Sequence, residues 1–199
     1  MTSYQIIEQK LDLDEPLPVD EQWSAAADFL DVLSNYCLQE KPRVIVECSS
    51  GSSSLVLARC CQLNQQGHVY SLENGEAFAV ATRQQLKSFS LEGYCDVIHA
   101  PLQQVHLMDD DYQWYSLKDL PELNIDLLVI DGPPGFLQKN ARYPALPLLL
   151  DRLTASAAIF LDDAARDDER GIVRQWQDQY PEFALEYIDN ERGCSILRR

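Results

Sequence analysis

Apolar and polar positions along this chain repeat with two periods, and the switches between them lay out its elements. A helical period over residues 20–39 gathers Trp23, Ala26, Ala27, Leu30, Val32 and Leu33 on one face and predicts the first helix. Short apolar runs at 43–48, 68–73, 94–100, 125–131 and 156–162 predict strands, and the segments between them at 52–63, 76–89, 144–153 and 165–179 read as helices. The run at 125–131 is interrupted only by Asp126 and reads as a central strand buried on both faces. Two further strand-like segments, 183–188 and 194–197, flank a turn at 189–193 and predict a terminal hairpin in place of another crossover. The polar and aromatic stretch 108–124 reads as an insert. The sum is an α/β fold: a Rossmann-like three-layer sandwich whose seven-stranded sheet is mostly parallel, with the last strand antiparallel.

Length and composition narrow this picture. The 199 residues suit one domain, 1–199, with a tail and helix over 1–40 ahead of an α/β core at 41–199, and neither a composition shift nor an internal repeat divides them. No apolar run reaches the roughly 20 residues of a membrane helix, and the polar N-terminus lacks the apolar core of a signal peptide, so a cytoplasmic protein without a membrane partner is expected. The six cysteines form no C-x-x-C pair and lie mostly in apolar segments, which predicts reduced, buried thiols. With 32 acidic against 16 basic side chains the formal charge is −16, a field that repels phosphate backbones and argues against a nucleic-acid partner.

The segment 44–54, VIVECSSGSSS, carries the most chemistry. An apolar strand ends in Glu47, a loop of small residues follows, and a helix begins, so the backbone can approach a ligand closely while free N–H groups at the helix start favour an anionic group. Glu47 is placed to meet a cationic or hydroxylated group. A dinucleotide fingerprint, and with it an NAD-dependent oxidoreductase, is the rival use of this turn; it needs glycines where serines stand and sets Glu47 against a pyrophosphate.

The acid at the first strand end, the small-residue loop, a second acid at Glu73 ending the next strand, and the closing hairpin together resemble the class I S-adenosylmethionine-dependent methyltransferases over nearly the whole chain. Within that superfamily the segments 126–135 (DLLVIDGPPG), 142–149 (RYPALPLL) and 161–166 (LDDAAR) resemble a bacterial branch related to the catechol O-methyltransferase group. The resemblance implies S-adenosylmethionine as cofactor, with Glu47 serving its ammonium and Ser49, Gly51, Ser52 and Ser53 cradling its carboxylate. Glu73 would accept from both ribose hydroxyls beside Asn74, Ala100 and Leu102 would flank the adenine with Gln103 near, and Asp131 and Gly132 would complete the site. The family loop is usually richer in glycine; here only Gly51 keeps the pattern.

The resemblance also implies a divalent ion, Mg²⁺, held by Asp131, Asp162 and Asp163, with Asp131 as the catalytic residue; the ion would lower the pKa of a substrate hydroxyl and orient it. The competing structural role is that Asp131 opens a turn and Asp162 or Asp163 caps the next helix. A lysine base of the catechol enzymes has no counterpart, because Gly132, Pro133, Pro134 and Gly135 occupy that stretch, which leaves only the remote Lys139 and His106. Arg142, Tyr143 and Arg166 are placed to bind a carboxylate or phosphate on a small-molecule substrate, or else the arginines pair with the neighbouring acids. Trp23, Trp114 and Tyr115 are candidates to wall an aromatic pocket, although Trp23 on an amphipathic helix reads as core. The expected reaction is O-methylation of a small molecule; a cofactor-binding sensor without transferase activity is the alternative. A homodimer is compatible with the helix faces, and the segment before Trp23 reads either as a cover for the site or as a loose tail.

Overall fold

The computed structural model describes residues 3–20 and 22–199. In chain order the elements are α1 (Ser3–Lys10), α2 (Ala27–Glu40), β1 (Val44–Cys48), α3 (Ser52–Asn64), β2 (His68–Glu73), α4 (Glu76–Ser88), β3 (Cys95–His99), β4 (Leu102–Leu107), β5 (Asp110–Tyr115), β6 (Ile125–Ile130), α5 (Ala145–Leu149), β7 (Leu153–Leu161), α6 (Asp167–Gln179), β8 (Ala184–Ile188) and β9 (Cys194–Arg198). Seven strands form one sheet in the order β3-β2-β1-β6-β7-β9-β8, and β4 pairs with β5 apart from it. The five strands from β3 to β7 run parallel, while β9 lies antiparallel between β7 and β8. The chain order reverses where β1 meets β6, and in an open α/β sheet such a reversal leaves a crevice at the carboxyl ends of the strands.

Strand alternation divides the core into two apolar layers. Ile45, Leu127 and Val129 face a layer that includes Phe29, Leu30 and Leu33 of α2 and Leu55 and Leu57 of α3. Val46, Cys48, Leu128 and Ile130 face the other, with Trp114, Tyr115, Leu146 and Trp176. Because side chains alternate across a strand, Glu47 shares the face of Ile45 and points beneath α3. All six cysteines are free and buried. Among the described residues no helix is long and apolar enough to cross a membrane.

Three features differ from the periodicity reading. The first long helix starts at Ala27, because the Asp20 carboxylate accepts from the N–H groups of Gln22 (2.8 Å) and Trp23 (3.1 Å) and folds this stretch into a turn. Trp23 therefore leaves the helix and the core. The N-terminal segment contains α1, with Ile7 buried, Leu11 buried just beyond it, and the Leu11 carbonyl accepting from Arg59 Nε at 2.8 Å. The 108–124 insert contributes β5, in which Tyr112 and Trp114 alternate inward.

Candidate functional site

A cavity of about 810 Å³ opens at the carboxyl ends of β1, β2 and β6. That volume lies within the roughly 300–1,000 Å³ of small-molecule and cofactor sites.

One wall is the loop after β1. Ser49 holds φ at +115°, a conformation glycine adopts far more readily, and Gly51 (φ +149°) precedes the first residue of α3. Ser50 donates its hydroxyl to Glu73 Oε2 at 2.9 Å, and the Gly75 N–H donates to Glu73 Oε1 at 2.8 Å, so the carboxylate is fixed from both sides. Ser49, Ser50, Glu73 and Asn74 line the cavity. Gly51, Ser52 and Ser53 lie behind it, and Ser52 donates its hydroxyl to the Pro18 carbonyl at 2.6 Å, so the N-terminal segment packs over the start of α3.

Glu47 is fully buried beneath this loop. Its Oε2 accepts from the hydroxyls of Ser54 and Ser71, each at 2.5 Å, and its Oε1 has no partner. Burial raises its carboxyl to about 7 against the lowering effect of the neighbouring serines, among them the Ser54 and Ser71 hydroxyls that donate to it. Ala100 and Leu102 also stand outside the lining; the Ala100 N–H donates to the Glu73 carbonyl at 2.7 Å.

The opposite wall holds an acidic cluster. Asp131 follows β6, Asp162 and Asp163 follow β7, and carboxylate oxygens of the three lie within 4.8 Å of one another. The Arg142 guanidinium is buried among them, with Nη2 3.2 Å from Asp131 Oδ1 and 2.8 Å from Asp163 Oδ2, and Nε 3.8 Å from Glu169 Oε1. Nη1 donates to the Asp162 carbonyl at 3.0 Å. Burial opposes the arginine's charge, but the surrounding carboxylates outweigh it and hold the proton more tightly. Burial and mutual repulsion push Asp131 and Asp162 upward, with Arg142 acting against the rise. Arg166, half exposed, pairs with Asp163 Oδ2 at 2.8 Å.

Both oxygens of Asp162, Oδ1 of Asp163 and Oε2 of Glu169 are buried without a hydrogen-bond partner. Four carboxyl groups thus face Arg142 and Arg166, and their unpartnered hard oxygens are of the kind that fits a divalent cation. Asp131, Asp163, Arg142 and Arg166 reach the cavity, whereas Asp162 stands behind. Tyr143 stays out of it: its hydroxyl donates to Gln179 Oε1 at 2.8 Å and its carbonyl accepts from Trp176 Nε1 at 3.1 Å. His106 pairs with Asp111 on the exposed β4–β5 hairpin, and Lys139 is exposed outside the lining.

Gly132 lines the floor with Tyr115, whose hydroxyl occupies the space a Cβ at Gly132 would need; the Gly132–Pro133 peptide is cis. Trp23, Phe78 and Phe136 form the mouth. Sequence reasoning passed over Ser50, Phe78, Phe136, Glu169 and Arg192. Ser50 sits inside the small-residue loop after β1, and Glu169 among the acids at the start of α6. Arg192 carries no local signal, since it reaches the cavity from the β8–β9 turn and donates to the Ser24 carbonyl at 3.2 Å.

A mostly parallel sheet of this order, with a cavity at its reversal and acids ending adjacent strands, is the class I S-adenosylmethionine-dependent methyltransferase fold. Residues 46–164 match the family described as a methyltransferase domain, more than half of the chain, and the chain belongs to that family. No curated protein matches the sequence.

Among solved structures the chain is similar to the S-adenosylhomocysteine-bound methyltransferase PaMTH1 of Podospora anserina, at 14% identity and TM-score 0.69, covering 100% of this chain and 88% of that one. It is similar to an O-methyltransferase from Bacillus cereus in complex with S-adenosylhomocysteine, at 14% identity and TM-score 0.68 over 99% and 90% of the two chains. The O-methyltransferase TomG of Streptomyces achromogenes, involved in tomaymycin synthesis, matches at 14% identity and TM-score 0.66 over 98% and 86%. At such identities the likeness is one of fold.

Proposed function

We propose that the protein transfers a methyl group from S-adenosylmethionine to an oxygen of a small molecule, in a site related to the catechol O-methyltransferase group. The observation that carries this reading is one cavity with Glu73 and Asn74 on one wall and the Asp131 cluster on the other. Bound there, S-adenosylmethionine supplies an electrophilic methyl for in-line displacement, and alignment of the acceptor is the main task left to the protein.

Glu73, held by Ser50 and Gly75, receives the two ribose hydroxyls. The 49–53 backbone and the start of α3 face the methionine carboxylate, and Glu47 acts from beneath the loop on the ammonium. Asp131 orients the acceptor at the mouth of the cluster. A divalent ion held by Asp131, Asp162 and Asp163 would make an acceptor hydroxyl more acidic. The two solved relatives named above as O-methyltransferases, one bound to S-adenosylmethionine and the other to its demethylated product, support the reading.

A second reading is favoured by Arg142, which already supplies the cluster with a cation, and by the prolines where a lysine base is expected: a cofactor-binding protein without transferase activity. Calorimetric titration with S-adenosylhomocysteine, with NAD⁺ as control, tests the cofactor, and micromolar binding of the former alone is expected. Titration of chelator-treated, S-adenosylhomocysteine-bound protein with Mg²⁺ tests the metal; no heat there removes the metal from the reading. Cofactor binding with no methyl release from a broad acceptor panel, with and without Mg²⁺, would leave the second reading standing.

A further inference from the structure

Trp23, Phe78 and Phe136 come from three separate segments and meet at the cavity mouth. The Trp23 ring lies 6.3 Å from each of the other two, tilted by 58° and 59°. Their relative exposures are 49%, 55% and 76%, so a continuous aromatic rim faces solvent beside the site. Isolated apolar residues on a surface need no partner, but a cluster edging a cavity marks a place where ligand is bound.

The charges beside this rim are one-sided. Six carboxylates line the cavity, Glu73, Asp131, Asp163, Asp167, Asp168 and Glu169, against the three guanidinium groups of Arg142, Arg166 and Arg192. Arg142 is paired with Asp131 and Asp163 and Arg166 with Asp163, while Arg192 donates to the Ser24 carbonyl and its charge acts on Asp131; on the acidic side Asp167 pairs with Arg170 at 3.0 Å, and Asp168 accepts only the Asn140 N–H at 3.4 Å. The guanidinium groups of Arg142 and Arg166 sit at Asp131 and Asp163 in the inner cluster, whereas Asp167 and Asp168 stand apart from it at the start of α6. An anionic acceptor would approach this mouth against its field, and a cation would be drawn in. Exposed aromatic faces add attraction for a cation through their quadrupoles.

We propose that the methyl acceptor is an aromatic molecule bearing a positive charge, its ring against Trp23, Phe78 and Phe136 and its cationic group toward Asp168. This rests on the methyltransferase reading and narrows its substrate class; it also removes Arg142 and Arg166 as receptors for a substrate carboxylate.

The test uses three probes with the same phenol ring and a short side chain that ends in an ammonium, a hydroxyl or a carboxylate: tyramine, tyrosol and 4-hydroxyphenylacetate. S-adenosylhomocysteine is titrated first, and the probes are then titrated into both the free and the saturated protein, so a failure of cofactor binding is read separately from a failure of the rim. Tyramine is expected to bind at least about tenfold tighter than 4-hydroxyphenylacetate, with tyrosol between them and the gap shrinking at about 0.5 M salt. Trp23→Ala should weaken tyramine at least about fivefold with S-adenosylhomocysteine affinity unchanged, and Asp168→Asn should narrow the tyramine–tyrosol gap. The proposal is overturned if the carboxylate probe binds as tightly as tyramine, if Trp23→Ala leaves tyramine binding intact, or if no probe binds at millimolar concentration to either form.

Discussion

Arg142 Nη2 lies between Asp131 and Asp163, 3.2 Å from one carboxylate and 2.8 Å from the other. It ties the end of β6 to the end of β7, and its second nitrogen reaches the Asp162 carbonyl at 3.0 Å. Since Glu169 at the start of α6 approaches the same guanidinium, one side chain holds three segments of the cavity wall together. An arginine committed to this extent acts on stability before it acts on substrate.

Arg142→Met should therefore lower the unfolding free energy by about 3–5 kcal/mol, the usual cost of leaving buried charges without their partner. Urea denaturation with an unchanged m-value would read this as a shift in midpoint. S-adenosylhomocysteine affinity should fall as well, because Asp131 loses the group that positions it. A variant of wild-type stability and cofactor affinity with only a raised acceptor KM would show that Arg142 contacts substrate instead.

The contact between Tyr115 and Gly132 supplies the second test. A methyl group at position 132 collides with the tyrosine hydroxyl, and that hydroxyl is enclosed in the floor of the cavity. Gly132→Ala should cost about 1–3 kcal/mol by overpacking. Part of that loss should return in the double variant with Tyr115→Phe, where the obstructing oxygen is gone. Thermal denaturation of the two single variants and the double completes the cycle, and strict additivity would remove the contact as the cause.

Ser49 occupies a backbone region that glycine enters without strain, with φ at +115°. Ser49→Gly should stabilise the protein by about 1 kcal/mol, the lower end of the cost of such a conformation. In a chain of this size that raises the thermal midpoint by roughly 2–4 °C. A lowered midpoint would mean that the Ser49 side chain contributes more than its backbone costs.

The sequence made the sheet legible for a physical reason: strands buried on both faces leave apolar runs, and 125–131 is the plainest of them. The positions of Glu73, Asn74, Asp131 and Gly132 at the cavity were legible because strand ends converge wherever this fold forms, and all four line it. The alternation of Tyr112 and Trp114 in β5 was obscured by the acidic run just before it. Trp23 was misplaced because the helical period runs straight through a turn that the Asp20 side chain imposes. The role of Arg142 is a matter of distance in space, since its partners lie 11, 21 and 27 residues away along the chain, at the end of β6, the end of β7 and the start of α6. No local pattern records that meeting.

Glu47 gives a prediction in pH. Its carboxyl stands at about 7 in the folded protein against 4.5 for the free group, chiefly through burial, so the folded state holds a proton that the unfolded chain has released. Unfolding therefore releases that proton between these two values, and stability falls as pH rises from about 4.5 to about 7 and is flat beyond. Glu47→Gln keeps an oxygen for the hydroxyls of Ser54 and Ser71 and removes the titration. Below pH 4.5 the two proteins should match, and above pH 7 the variant should be the more stable by about 3 kcal/mol. Asp131 and Asp162 are raised as well, so the difference between variant and wild type, rather than either curve alone, isolates Glu47. Cofactor binding should run the other way. An ammonium above the loop favours the ionised carboxylate, so S-adenosylhomocysteine should bind wild type up to about tenfold tighter at pH 8 than at pH 6, and bind Glu47→Gln with no such dependence. Calorimetry at the two pH values on both proteins measures this, and an equal pH dependence in the variant would place the titrating group elsewhere in the cavity.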